Sequence, residues 1–238
     1  MIYYIFHSGF LIDLEHNTLI FDFYKVPNGY EKEKDELISK YIKNNKKNIY
    51  IFSSHSHLDH FNKEILTWRE QNNTIKYIFS DDIVIDNDNH ITFVKAGDEL
   101  KIDDIQLNVF SSTDEGVSFY LNIEGKNIFH PGDLHYWNWN EDTEEDRKYM
   151  LNSYLEEINK IKKLDRIDIA FVLVDPRLEE NVYDGVKIFY SELKPKVMIP
   201  IHFSYDYSAM DGFLNLFKDE DVKVVRISDS MQEILSGE

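Results

Sequence analysis

The sequence predicts a layered α/β (α+β) fold, and three observations predict it. Strand-like runs alternate with amphipathic, helix-like runs in both halves of the chain, the pattern of helices packed on sheets. At 238 residues the chain can bury one sizeable core and is short for two generous domains, so residues 1–238 read as a single domain. A hydrophobic content of 42 % with 29 % charged residues is the balance of a soluble globular protein.

Residues 2–6, 9–14 and 18–23 read as short strands joined by tight turns, and Gly9 marks a bulge or a close backbone approach. Pro27-Asn28-Gly29 is a turn. Lys32 to Lys46 reads as a helix whose apolar stripe is Leu37, Ile38, Tyr41 and Ile42. A strand over 48–53 leads to a helix from Asn62 to Gln71, with Asn62 able to cap it. Strands follow at 75–79, 90–94, 99–102, 105–110 and 117–123, with 81–89 a polar loop, and Asn127 to His130 reads as strand. The acidic run Glu141 to Glu145 suits the first turn of a helix reaching Lys163. Ile167 to Val174 is a buried strand, 181–194 a helix stopped by Pro195, and 196–201 a strand. Asp211 to Lys218 is helical, and strands at 222–227 and 231–235 close the chain.

Bulk composition excludes several function classes. Acidic residues outnumber basic ones 44 to 26, a formal charge of −18, and no dense Lys/Arg stripe offsets it. Such a field repels nucleic acid and anionic membranes. The chain has no cysteine, hence no disulfide and no thiolate ligand. It has no apolar run of about 18 residues, and Met1 to His7 lacks the basic region of a signal peptide. A cytoplasmic protein acting on a small molecule is the expectation, with oligomeric state not legible.

One stretch carries the chemistry: His55-Ser56-His57-Leu58-Asp59-His60, directly after the strand at 48–53. Alternate side chains of an extended segment share a face, so His55 and His57 can hold one metal ion. The turn towards the following helix swings Asp59 and His60 elsewhere, where they can hold a second. Two ions about 3.5–4 Å apart can share a hydroxide that attacks one ester, amide or phosphate group.

His55-x-His57-x-Asp59-His60 resembles the hallmark of the metallo-β-lactamase superfamily. Two further elements support the resemblance, Phe129-His130-Pro131-Gly132-Asp133 after one strand and Ile199-Pro200-Ile201-His202 after another. The order and spread match from about residue 3 to about residue 230. The compact length, the first strand and the late Ile-Pro-x-His are similar to the ascorbate-6-phosphate lactonase branch. The resemblance implies a four-layer αβ/βα sandwich with metals at one edge between two mixed sheets. It implies His202 as a further ligand of the Asp59–His60 site and Asp133 as a bridge between two divalent ions. Zinc is the expected metal, with manganese or iron as alternatives. Asp59 is then also the catalytic residue, holding a metal and orienting or deprotonating the nucleophile.

The family's loop histidine is missing. Before Gly116 the loop reads Ser111-Ser112-Thr113-Asp114-Glu115, with Thr113 at the histidine position. Three outcomes are open: Asp114 or Glu115 replaces the imidazole, the first site is completed by water, or the loop has no metal role. A carboxylate there would shift preference towards harder ions. In every case the second site is the more secure.

Several residues have two readings. His7 is a substrate-binding pocket residue, since a His or polar residue after the first strand lies near the metals in relatives resembling the lactonase branch, or a turn residue. Asp22 orients a ligand from behind or simply ends a strand. His135 touches substrate from an aromatic wall with Tyr136, Trp137 and Trp139, or fills the core. Arg177 grips a substrate carboxylate or phosphate, or pairs with Asp175, Glu179 or Glu180. The expected function is metal-dependent hydrolysis of an ester, lactone or phosphodiester. The alternative is a metal-binding sensor or degenerate relative without turnover.

Overall fold

Runs of β-branched and aromatic residues form the strands, and they assemble into two seven-stranded mixed sheets. The computed structural model describes residues 1–43, 46–86 and 88–236. The chain divides into two units, Met1–Val94 with Ile227–Glu238, and Lys95–Arg226.

In the first unit, β1 (Ile2–Phe6), β2 (Gly9–Asp13) and β3 (Asn17–Phe21) form an antiparallel meander. Then β4 (Asn48–Ser53), β5 (Lys76–Ser80) and β6 (Ile91–Val94) add in parallel, and β14 (Gln232–Leu235) pairs antiparallel with β1. Parallel strands need both faces covered, and β4 is buried from Ile49 to Ser53. The cover comes from α1 (Glu31–Ile38) with its π-helical extension Ser39–Lys43, and from α2 (Glu64–Thr67) with the 3-10 turn Trp68–Glu70. Leu37, Ile38, Tyr41 and Ile42 are the buried stripe, as the pattern predicts. The expected helix runs on over 44 and 45, which lie outside the described residues. Lys63 stands at the N-cap of α2, and Asn62 just before it accepts the Glu64 amide on Oδ1 at 2.9 Å.

In the second unit, β7 (Glu99–Ile102), β8 (Ile105–Ser111), β9 (Val117–Ile123) and β10 (Lys126–His130) form the antiparallel half. The parallel half adds β11 (Ile169–Leu173), β12 (Val197–Ile201) and β13 (Lys223–Val224). The expected strand over 222–227 shrinks to two residues because it pairs only with Val197 and Met198 at the sheet's edge. The helices are α3 (Glu144–Ile161), α4 (Asp184–Leu193) and α5 (Met210–Leu216). Helix α3 starts later than the acidic run suggests, because the Thr143 hydroxyl caps it by accepting from the Asp146 amide.

Both units use one construction. Strands β1, β3 and β4 run the same way, so the residues after them, His7, Asp22 and the 54–60 loop, gather at one end of their sheet. Strands β8, β10, β11 and β12 likewise deliver Thr113, Asp133, Asp175 and His202 to one end of theirs. Ligand sites in open α/β sheets lie beyond these carboxyl ends. Among the described residues no helix is long and apolar enough to cross a membrane.

Candidate metal centre

Parallel pairing of β3 with β4 places Asp22 beside the start of the histidine loop. The Asp22 amide donates to the Phe52 carbonyl at 2.9 Å. Its carboxylate then accepts from the Ser54 amide at 2.8 Å, the Ser54 hydroxyl at 2.7 Å and His60 Nδ1 at 2.7 Å. Asp22 and His60 are both 0 % exposed. A carboxylate on Nδ1 fixes the ring so that Nε2 faces a metal position, the usual support of a ligating histidine. Beyond Ser54 the chain turns tightly, with the His57 carbonyl accepting from both the His60 and Phe61 amides. The Ser56 amide is held by Asp82 at 2.8 Å.

This turn sorts the side chains into two adjoining groups. His55 Nε2 lies 3.1 Å from His57 Nδ1. His7 Nε2 lies 3.4 Å from Asp59 Oδ2, and the ligand atoms of His7, Asp59 and His60 all fall within 4.8 Å of one another. The two groups touch, because the His55 and His60 rings are 4.1 Å apart. His55 and His60 are buried, whereas His57 is exposed and Asp59 partly so, leaving one side of the cluster open to solvent.

In the second unit, His202 follows β12 with φ at 72°, a left-handed conformation that costs energy for a non-glycine residue. Its Nδ1 pairs with Asp175 Oδ2 at 2.9 Å, and its Nε2 lies 3.3 Å from Asp133 Oδ1. Asp175 is gripped by Arg177, whose Nε lies 2.9 Å from both carboxylate oxygens. Trp137 packs against His202 and donates from Nε1 to the Asp133 carbonyl at 3.1 Å. Trp139 stacks on Trp137, and the Arg177 guanidinium covers Trp139.

The donor set fits divalent metal. A tetrahedral ion with bonds of about 2.0–2.1 Å holds its ligand atoms about 3.3–3.4 Å apart, and the three pairs above span 3.1–3.4 Å. Charge-assisted hydrogen bonds are shorter, about 2.7–2.9 Å. The local field also calls for a cation. Burial alone would lower the His202 pKa, but the Asp133 and Asp175 carboxylates outweigh it and raise the value to about 10. Burial would raise Asp59, but hydrogen bonding from His7 and the charges of His60 and His7 hold its carboxyl below the ordinary range. Asp175 is likewise held low, by His202 and Arg177 against burial. Burial lowers His135 to about 4.

These shifts set the stability profile of the metal-free protein. The raised His202 pKa stabilises the fold fully below 6.5, and that contribution fades as pH rises through about 10. The lowered His135 pKa works the other way, its contribution fading as pH falls from 6.5 through about 4. Asp59 and Asp175 lose theirs below about 3.8. Melting temperature measured in chelator should therefore peak near pH 6.5, whereas a steady rise up to pH 9 would contradict the His202 environment described above.

Three sequence candidates had more than one reading, and the structure places each of them. Asp114 is exposed and joins neither histidine group, because its loop turns outward and the Asp114 amide is tied to the Ser112 hydroxyl. Thr113, at the family's histidine position, instead pins the backbone after β10, its hydroxyl donating to the His135 carbonyl at 2.6 Å and accepting the His135 amide at 2.9 Å. His135 is 1 % exposed, wedged against Gly185 where a Cβ would come within 2.2 Å of the ring, so it packs the core and does not present itself to substrate. Arg177 pairs with Asp175, one of its two readings, while its side chain stays largely exposed. The residue that sequence reasoning missed is Asp175 as the partner of His202.

The beta-lactamase superfamily domain model matches residues 1–148. The chain belongs to this superfamily. No curated protein matches it, but solved structures across the superfamily share its fold. Igni18, a novel metallo hydrolase from the archaeon Ignicoccus hospitalis, is 16 % identical with a TM-score of 0.65, over 100 % of this chain and 97 % of that one. The metallo-beta-lactamase fold protein YhfI from Bacillus subtilis is 9 % identical with a TM-score of 0.62, over 96 % and 95 %. CmlA, a diiron beta-hydroxylase from Streptomyces venezuelae, is 10 % identical with a TM-score of 0.60, over 98 % of this chain and 53 % of that one. The chain is thus a metallo-β-lactamase-fold member of a superfamily of metal-dependent hydrolases, and its His/Asp groups fit metal binding.

Proposed function

We propose that this protein hydrolyses a small molecule carrying an ester, lactone or phosphodiester, using two divalent ions. His55 and His57 would hold the first ion and Asp59 and His60 the second; the family resemblance adds His202 to the second set and Asp133 as a ligand of both. The observation that carries this reading is the repeated carboxylate–imidazole pair, Asp22 on His60 and Asp175 on His202, each aiming an Nε2. Bound ions would supply an ionised water at neutral pH and a Lewis acid for the substrate oxygen. Asp59, kept ionised and partly open to solvent, would orient or deprotonate the attacking water. The partly exposed Trp139 stacks on Trp137, which is buried against His202.

Zinc suits the nitrogen-rich groups best, with manganese or iron as the alternatives. The first site is the weaker, since Thr113 offers no imidazole. Residues 1–238 are read as one domain. A formal charge of −18 supports a small-molecule substrate over nucleic acid or a membrane surface, and a cytoplasmic setting accompanies it.

The test is hydrolysis of a panel of γ- and δ-lactones, 4-nitrophenyl esters and bis(4-nitrophenyl) phosphate by protein loaded with zinc, manganese or iron. Turnover of one class supports the proposal. Inactivity throughout, with both positions filled, contradicts it and favours a metal-binding sensor.

A further inference from the structure

His7 is a buried imidazole at the metal groups that the hydrolase pattern leaves unassigned. It occupies the two-residue turn between β1 and β2 with φ at 59°, a strained conformation for a side chain with a Cβ. The turn is fixed from both sides. The His7 amide donates to the Tyr4 hydroxyl at 2.8 Å. Gly9 lets the chain close on the end of β3, where a Cβ would stand 3.1 Å from the Asp22 carbonyl. Such strain at an end of the sheet already holding Asp22 and His60 suggests that the side chain's position matters.

The side chain is aimed at the second metal group. His7 Nε2 stands 3.4 Å from Asp59 Oδ2. That is longer than a good charged hydrogen bond and matches the edge between two ligands of one tetrahedral ion. Its ring meets His60 edge-on with centroids 5.6 Å apart. The ring is 5 % exposed, which leaves little surface for substrate.

We infer that His7 is a ligand of the ion held by Asp59 and His60, so that the imidazole absent from the 112–116 loop is regained from the first hairpin at the other ion. This rests on the dinuclear reading above and changes its ligand count. The second site gains a nitrogen ligand and binds tightly. The first keeps His55 and His57 as its imidazoles and binds weakly. A substrate contact or a turn residue at position 7 would leave the affinity unchanged.

The test is titration of the full chain with cobalt(II) and zinc alone, comparing wild type with His7→Asn and His60→Ala. Asn tolerates the left-handed turn, so the fold should survive. His7→Asn should weaken the tight site by more than the about 10–100-fold that loss of a supporting residue costs, and should alter the visible cobalt spectrum. Zinc X-ray absorption at one equivalent should count one imidazole fewer in His7→Asn than in wild type, and Tyr4→Phe should keep the count. Unchanged affinity and imidazole count in His7→Asn, with binding lost in His60→Ala, overturns the role of His7 and spares the hydrolase reading. Wild type that binds no ion overturns both.

Discussion

Asp59→Asn lowers kcat/KM about 10³-fold, within the range for losing a positioned acid–base group, while the circular dichroism spectrum stays that of the wild type. The substitution keeps the side chain's volume and removes its charge. Asp59 is only partly buried and lies in an exposed turn, so little packing is lost. What is lost is a carboxylate that His7 and His60 keep ionised at any working pH. A factor of 10³ corresponds to about 4 kcal/mol of transition-state stabilisation. The measurement is hydrolysis of whichever lactone, ester or phosphodiester the wild type turns over, with metal content determined on the same samples. A rate within threefold of wild type would remove Asp59 from the mechanism.

Asp22→Ala has the largest expected effect on the fold. It strands the Ser54 amide, the Ser54 hydroxyl and His60 Nδ1, all buried. Leaving three buried donors without their acceptor costs upwards of about 3 kcal/mol, at about 1–3 kcal/mol each. The metal-free protein should lose that much in urea unfolding, and affinity at the His60 site should fall by about 10–100-fold, the usual cost of losing the carboxylate behind a ligating histidine. Asp22→Asn can still accept the Ser54 amide and should recover part of the stability and little of the affinity. A loss below about 1 kcal/mol in Asp22→Ala would mean that the carboxylate is not the organiser of this loop.

Much of this was legible locally. Periodicity locates nearly all the strands, and the six-residue histidine stretch names its own chemistry because its ligands are neighbours in sequence. Asp22 could be suspected from its place at a strand end. Asp175 could not be assigned to His202, because its pairing depends on β11 and β12 lying parallel with their ends side by side. That is a long-range fact with no local pattern. Thr113 and His135 had open readings that only long-range packing decides between. The Thr113 hydroxyl serves the neighbouring backbone. His135 takes its core-filling reading, because helix α4 offers Gly185, a gap that an imidazole fills.

Anomalous diffraction from crystals grown with zinc or manganese, recorded at and below the metal's absorption edge, tests the central claim most directly. Two peaks are expected, one within about 2.0–2.2 Å of nitrogen atoms of His55 and His57, the other at that distance from Asp59 and His60. Crystals soaked in excess metal that show no peak against either pair would contradict the account.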